Sequence, residues 1–321
     1  MRYLDPRADL TFKRVFGEHP DLVISLINAL LPLDKDHQVK SVEYIPIELV
    51  PDNPLKKNSI VDVRCKDSEG RQFLVEMQMI WSEEFKQRVL FNACKAYVRQ
   101  LDRKEQYELL QPVYSLNLVN DIFQKDSSDY YHHYDVADVD HPDTVIEGLH
   151  LIFIELPKFK PQNYSQKKMQ VLWLRYLTEM GDAQRAPKEL LEDPEVSKAI
   201  EILEESSYTE AQLNGYDKFW DIVRTEKTYY NSARQRGIAE GREEGRAEGR
   251  AEGRAEGRAE GRAEGRAEGR AEGRAEGRAE GRAEGEHQAK ISNAQAMKAD
   301  GMSIESIAKY TGLSVEEIAA L

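Results

Sequence analysis

From Gly241 to Gly285 the chain runs in four-residue steps, Gly-Arg-Glu-Glu once and then Gly-Arg-Ala-Glu ten times. Read as helix, each step advances a residue type by about 400°. The glycine row therefore winds round the axis, and no buried seam results. Residues four apart are identical, which sets Arg against Arg and Glu against Glu, and each glycine costs about 1 kcal/mol relative to alanine. Ala, Arg and Glu are strong helix formers, and helical patterns flank both ends. The expectation is a long, solvent-exposed, marginal helix acting as spacer or oligomerisation arm, with disorder as its rival. Four codons are twelve bases, so a gained or lost repeat unit keeps the reading frame.

Ahead of this tract the pattern is that of a folded α/β head. Pro20 to Leu31 reads as a buried helix with proline in its first turn, closed before Pro32. Strand-like segments come next at Val39 to Leu49, Val113 to Val119, Tyr131 to Asp138 and Leu149 to Leu156. Between them lie two alternating arms, Ser59 to Lys66 and Arg71 to Met79, separated by the turn residues Asp67-Ser-Glu-Gly70. A three-residue loop with Gly70 in the left-handed region sets Lys66 opposite Gln72, Arg64 opposite Leu74, Asp62 opposite Glu76 and Ile60 opposite Gln78. A two-residue loop would throw Glu76 to the other face. The opposite face carries Val61, Val63, Cys65, Phe73, Val75, Met77 and Met79 and must pack on a core, which predicts a one-sided sheet. Two facing carboxylates repel unless water screens them or a divalent cation binds. Magnesium, which takes one or two carboxylates with waters and a phosphate oxygen, suits such a pair.

The order of a helix (Asp9-Leu-Thr-Phe-Lys-Arg-Val-Phe16), a strand, a strand with Asp62, a strand with Glu76-x-Gln78, a helix (Glu83 to Lys104) and a further strand (Pro112 to Phe123) resembles the PD-(D/E)XK nuclease superfamily. More narrowly it resembles the recombination-promoting nuclease (Rpn) and transposase branch, in which the last motif residue is Gln. The likeness includes Ile152-Phe-Ile-Glu-Leu-Pro-Lys-Phe159. It implies a restriction-endonuclease-like α/β core, a mixed sheet flanked by helices, and Mg2+- or Mn2+-dependent endonucleolytic hydrolysis of DNA phosphodiesters. Asp62 and Glu76 would ligate the ion with the Met77 carbonyl, and Gln78 would complete the catalytic set. A neutral amide supplies no positive charge, so Gln78 can only orient water or a phosphate oxygen. Val61 stands where the superfamily name has Pro. The organisation expected is a nuclease domain over 1–160, a helical extension over 161–236, the repeat arm over 237–286, and a helix-turn-helix-like module over 287–321.

Bulk charge runs against a nucleic-acid binder: 45 Lys and Arg face 58 Asp and Glu, a net −13. Local arrangement differs. On the helix after the motif, Phe85, Val89, Leu90, Ala93, Ala96, Tyr97 and Leu101 form an apolar face, while Arg88, Lys95, Arg99 and Arg103 line another side. That stripe can track a DNA backbone, or it is a solvated face with cations toward the helix C-terminus. The N-terminus lacks a signal-peptide pattern and no run is long enough to span a membrane, which predicts a cytoplasmic protein. Cys65 and Cys94 exclude a disulfide framework or a four-cysteine zinc site and read as small buried hydrophobes. His132, His133, Asp135, Asp138, Asp140 and His141 can be assembled into a metal cluster on paper, but adjacent histidines on a strand point to opposite faces, so they read as surface residues.

In the tail, Ile304, Ile307 and Ala308 are expected to face Ile318 and Leu321 across a Thr311-to-Ser314 turn, with Ser314 as N-cap. Glu316 and Glu317, with no Arg or Lys, give the second helix the wrong sign for DNA. An interaction or capping module is the better reading, with homo-oligomerisation through the arm. Walker, Rossmann and nucleophile-elbow patterns are absent. Two function classes stay open: a metal-dependent DNA endonuclease promoting recombination or serving a mobile element, and a catalytically silent DNA-associated or protein-interaction module on the same fold.

Overall fold

A left-handed Gly70, at φ 85°, closes the turn between the two motif strands. The strands are β4 (Val63–Asp67) and β5 (Gln72–Gln78), paired antiparallel with Val63 opposite Val75 and Lys66 opposite Gln72. This is the register expected from a three-residue loop. Asp67 reinforces the turn: its Oδ1 accepts from the Glu69 and Arg71 backbone N–H groups, and its Oδ2 takes the Arg71 guanidinium at 2.7 Å. The computed structural model describes residues 2–49, 59–101, 106–161, 168–181 and 183–321.

Around this hairpin stand β1 (Val42–Tyr44), β6 (Val113–Val119), β7 (Tyr131–Ala137) and β8 (Val145–Glu155), giving a six-stranded sheet in the order β1-β4-β5-β6-β8-β7. Pairing is parallel between β5 and β6 and between β6 and β8, and antiparallel elsewhere. The sheet is mixed, as expected. It is covered on both faces, however, and the expectation of a one-sided sheet is corrected. Val63, Cys65, Phe73 and Val75 pack with α1 (Asp9–Gly17) and α2 (Pro20–Leu30). On the other face Leu74 packs with Ala93 and Ala96 of α3 (Glu83–Val98). A parallel strand pair inside a sheet requires helices on both sides, which is why β5 is buried almost throughout.

Two further details depart from the hairpin reading. The ladder stops at Val63, and β3 (Ser59–Ile60) leaves it to pair with β2 (Glu48–Leu49), so Ile60 sits opposite Glu48 and not Gln78. A bend at Asp62 separates the two pairings, and Val61 consequently packs with Leu49 and Leu74 on the α3 side instead of with Val63. On α3 the buried positions are Phe85, Val89, Asn92, Ala93 and Ala96, while Leu90 is 42% exposed and lies off the apolar face assigned to it. The helix ends at Val98, short of Lys104, and Arg103 lies outside the described residues.

Downstream, α4 (Lys168–Glu179), α5 (Lys188–Leu191) and α6 (Pro194–Ile202) contribute Trp173, Tyr176, Leu190 and Ile200 to the same core as α1, α2 and the sheet. Asp193 caps α6 by accepting from the Glu195 and Val196 N–H groups, ahead of Pro194 in the first turn. Residues Met1–Ser232 form one compact unit and Ala233–Leu321 a second. The repeat is helical, within α7 (Glu210–Ala299), and its residues are exposed. In the second unit, α8 (Ile304–Thr311) and α9 (Val315–Ala320) meet as expected, with Ile307 against Ile318 and a capping box between Ser314 and Glu317. The end of α7 adds Ala294 to that cluster, and Lys298 donates to the Ile318 carbonyl at 3.1 Å.

Candidate active site

Period-two geometry sends Leu74, Glu76 and Gln78 to the α3 side of β5, and α3 roofs the first of them. Beyond Leu74 the roof opens into a cleft of about 960 Å³ lined by Ile60, Asp62, Glu76, Met77, Gln78 and residues of α3 including Arg88. Asp62, Glu76 and Gln78 all border this space; alternation accounts for Glu76 and Gln78, whereas Asp62 enters it from the bend beyond the ladder. The Asp62 bend keeps its carboxylate on the motif strand, where Oδ2 accepts the Met77 backbone N–H at 2.7 Å.

Glu76 is 5% exposed. Its Oε1 accepts from Asn92 Nδ2 at 3.1 Å, and Oε2 lies 3.7 Å from Arg88 Nη2. Burial raises its pKa to about 7, against the opposing pulls of Asn92 and Arg88, and the Asp62 charge adds to the rise. The carboxyl of Asp62 is also held above its ordinary range by burial, although the Met77 N–H favours its anion. Gln78 is engaged at both ends: Nε2 donates to the Ile80 carbonyl at 2.6 Å and Oε1 accepts from Arg88 Nη2 at 2.8 Å.

Arg88, expected in a DNA-tracking stripe, instead joins Glu76 to Gln78 from α3. Lys95 Nζ donates to the Leu49 carbonyl at 2.5 Å and also lies over the Phe91 ring, 5.1 Å from its centroid. Arg99 comes directly after the last turn of α3. Sequence reasoning missed Asn92, whose only signal was a polar residue seven positions beyond Phe85 on a buried stripe. It also missed Asp9 and Lys13 of α1. These two pair at 2.5 Å, and both act on the Asp62 charge, Lys13 favouring the anion and Asp9 opposing it. Cys65 is buried, whereas Cys94 is half-buried on the cleft wall, which corrects its reading as a core residue.

The model of the PD-(D/E)XK nuclease family transposases matches residues 6–233. The chain belongs to that family. No curated protein and no solved structure matched it. Nucleases of the PD-(D/E)XK group use divalent metal ions. The family span covers α1 to α6 and the whole sheet, and with them every cleft residue named above. Among the described residues, no helix is long and apolar enough to cross a membrane.

The buried Glu155, in the segment that contributed to the resemblance, does not reach this cleft set. Its Oε1 meets His132 Nε2 and Lys158 Nζ, both at 2.8 Å, and Oε2 accepts the Phe123 N–H at 2.9 Å. It ties β8 to the edge strand and to the loop after β6. His132 is thus a partly buried hydrogen-bond partner of Glu155 and not a surface residue.

Proposed function

We propose that this chain is a metal-dependent DNA endonuclease, with Asp62 and Glu76 holding a Mg2+ or Mn2+ ion. The observation that carries the reading is the convergence of a buried carboxylate, Glu76, and a half-buried one, Asp62, both with raised pKa, on one open cleft. Such a pair favours either a proton or a cation. The Oδ1 atom of Asn92, buried and without a hydrogen-bond partner, adds an unsatisfied oxygen beside Glu76, and an all-oxygen set suits a hard divalent ion. In an extended strand, a residue's N–H and C=O point to the same side. Since Met77 N–H is aimed at Asp62, its carbonyl shares that side and is the third candidate ligand.

When bound, the ion would lower the pKa of a coordinated water and offset charge developing on the scissile phosphate. The chain's own contribution is positional and electrostatic. Asn92 and Arg88 hold the Glu76 carboxylate, Met77 N–H holds that of Asp62, and Arg88 provides the positive charge that Gln78 lacks. Arg99 is assigned to the DNA backbone. Lys95, and Arg103 beyond the described residues, complete that assignment. Recombination or the mobility of a genetic element is the setting that fits the family, and the cytoplasm the location.

The test is plasmid nicking by the purified full chain with Mg2+, with EDTA, and by Asp62→Asn. Nicking should need the ion, and the variant should lose more than the roughly 10- to 100-fold expected for an outer-shell partner. Arg88→Ala should lower the rate at saturating DNA, whereas Arg99→Ala should raise the DNA concentration needed. Nicking that persists in EDTA or in Asp62→Asn would reject the assignment. A non-catalytic DNA-associated module is the second reading, favoured by Gln78, whose amide is satisfied at both ends without a substrate.

A further inference from the structure

On the edge strand β7, His132 faces the α3 side while His133 and Asp135 face the side of the main core. The register makes this explicit: His133 lies opposite Ile152, a main-core residue, and His132 opposite Phe153, which packs beneath α3. Past Tyr134 the pairing slips. Tyr134 is opposite Leu151 but Val136 is opposite Ile146, so β8 accommodates three extra residues in this stretch. Gly148 allows the detour at φ 154°, in contact with Tyr97, where a Cβ would meet the ring at 3.2 Å. The slip brings His150, seated opposite Tyr114 and stacked on it at 4.4 Å, beside Asp135.

The result is a cluster of His133, Asp135 and His150 whose ligating atoms all lie within 4.8 Å of one another. Asp135 Oδ1 is 2.9 Å from His133 Nε2 and 2.7 Å from His150 Nδ1. His150 is 7% exposed, and its other nitrogen, Nε2, is buried without a hydrogen-bond partner, 3.4 Å from Glu147 Oε2. A neutral imidazole has one N–H to offer, yet carboxylates stand at both nitrogens of His150. If Nδ1 holds the proton, Nε2 is a buried bare lone pair. If Nε2 holds it, Nδ1 sets a lone pair against a carboxylate oxygen at 2.7 Å.

We propose that His133, Asp135 and His150 form a second metal site, for Zn2+ or a similar borderline divalent ion, on the sheet face opposite Asp62 and Glu76. A cation on the Asp135 side replaces the proton at Nδ1 and leaves Nε2–H directed at Glu147. That is the arrangement in which a metal-bound histidine passes its other N–H to a carboxylate. Two imidazole nitrogens and one carboxylate select a borderline ion over Mg2+ and leave a coordination position for water. Its effect on the protein is to pin the edge strand to β8 where their ladder is interrupted.

The experiment uses untagged full-length protein, stripped by chelator and titrated with Zn2+ and then Co2+ in excess Mg2+, which occupies an oxygen-only site. One equivalent should bind against a chromogenic competitor, and Co2+ should show d–d absorption of a nitrogen-ligated ion. Because His150 is buried, the test rests on His133→Ala and Asp135→Asn, checked for folding by circular dichroism. Each should weaken binding at least about ten-fold and lose the cobalt band. Unchanged affinity in both variants places the ion elsewhere and overturns the proposal. Absence of binding by folded wild type also overturns it. Asp62→Asn should retain the equivalent, which separates this result from the fate of the nuclease reading.

Discussion

The unusual condition of Glu76 is that the folded chain favours its protonated form up to about pH 7, while the unfolded chain releases that proton near the ordinary value of 4.5. Between those limits the folded state binds more protons, so this residue withdraws stability as pH rises. Glu76→Gln should therefore be more stable than wild type by about 1–3 kcal/mol at pH 8 and nearly equal to it at pH 4, measured by urea unfolding without divalent ions. Saturating Mg2+ should narrow the difference at pH 8, acting on wild type alone. An alkaline gap of the opposite sign would mean that the carboxylate is stabilised by partners other than a metal. The β4–β5 register and the α3-side position of Glu76 were legible because strand alternation and one glycine determine them. Asp62 lies in a bend beyond the last ladder pair, Val63 with Val75, and reaches the same cleft without facing Glu76 in a strand pair. The parts played by Asn92 and Arg88 beside Glu76, and by Asp9 and Lys13 on the Asp62 charge, were not legible, because these residues act from helices, and periodicity gives a helix its buried stripe without saying which strand residue lies beneath.

At the scale of elements, Gly70 carries the register on which the cleft depends. A Cβ there meets the side chain of Gln111 at 3.3 Å in a backbone conformation that L-residues avoid. Gly70→Ala should cost about 1–2 kcal/mol of unfolding free energy, read from the urea midpoint at unchanged slope. Nicking by the fraction that remains folded should persist if the hairpin holds its pairing. Turn chemistry also made β6 readable to the residue, and it made α2 readable to within one. The Asp62 bend escaped notice, since Ser59 to Lys66 alternates without a break and nothing in it signals that Ile60 changes partners. The three-residue slip in β8 escaped for the same reason: Gly148 alone hints at it. The repeat glycines contrast with Gly70, as a Cβ on any of them meets nothing within 4 Å. Replacing three of them by Ala should raise the helix content of the second unit and its melting temperature by circular dichroism, at about 1 kcal/mol per site.

For the molecule as a whole, all the cleft residues fall in the Met1–Ser232 unit, as does the family span up to its last residue. A chain ending at Ser232 should stay folded and cleave saturating DNA at the full-length rate. Light scattering should then register any loss of assembly that removal of the arm causes. A folded truncation that has lost the chemical step would make the second unit part of the active site. The helices after residue 161 were legible as helices but not as bearers of Trp173 and Tyr176 at the centre of the main core, because an amphipathic stripe does not name its partner. The arm has a different consequence. Its helix has one face like another, so each tetrapeptide added or removed shifts the downstream residues by about 6 Å and turns them by about 40°. Reach and facing change together, and only after about nine units does the three-helix terminus of the second unit regain its original azimuth. Natural variants with different repeat numbers would thus present that terminus at stepped angles along a screw, and a binding partner sensitive to orientation would accept some copy numbers and refuse their neighbours.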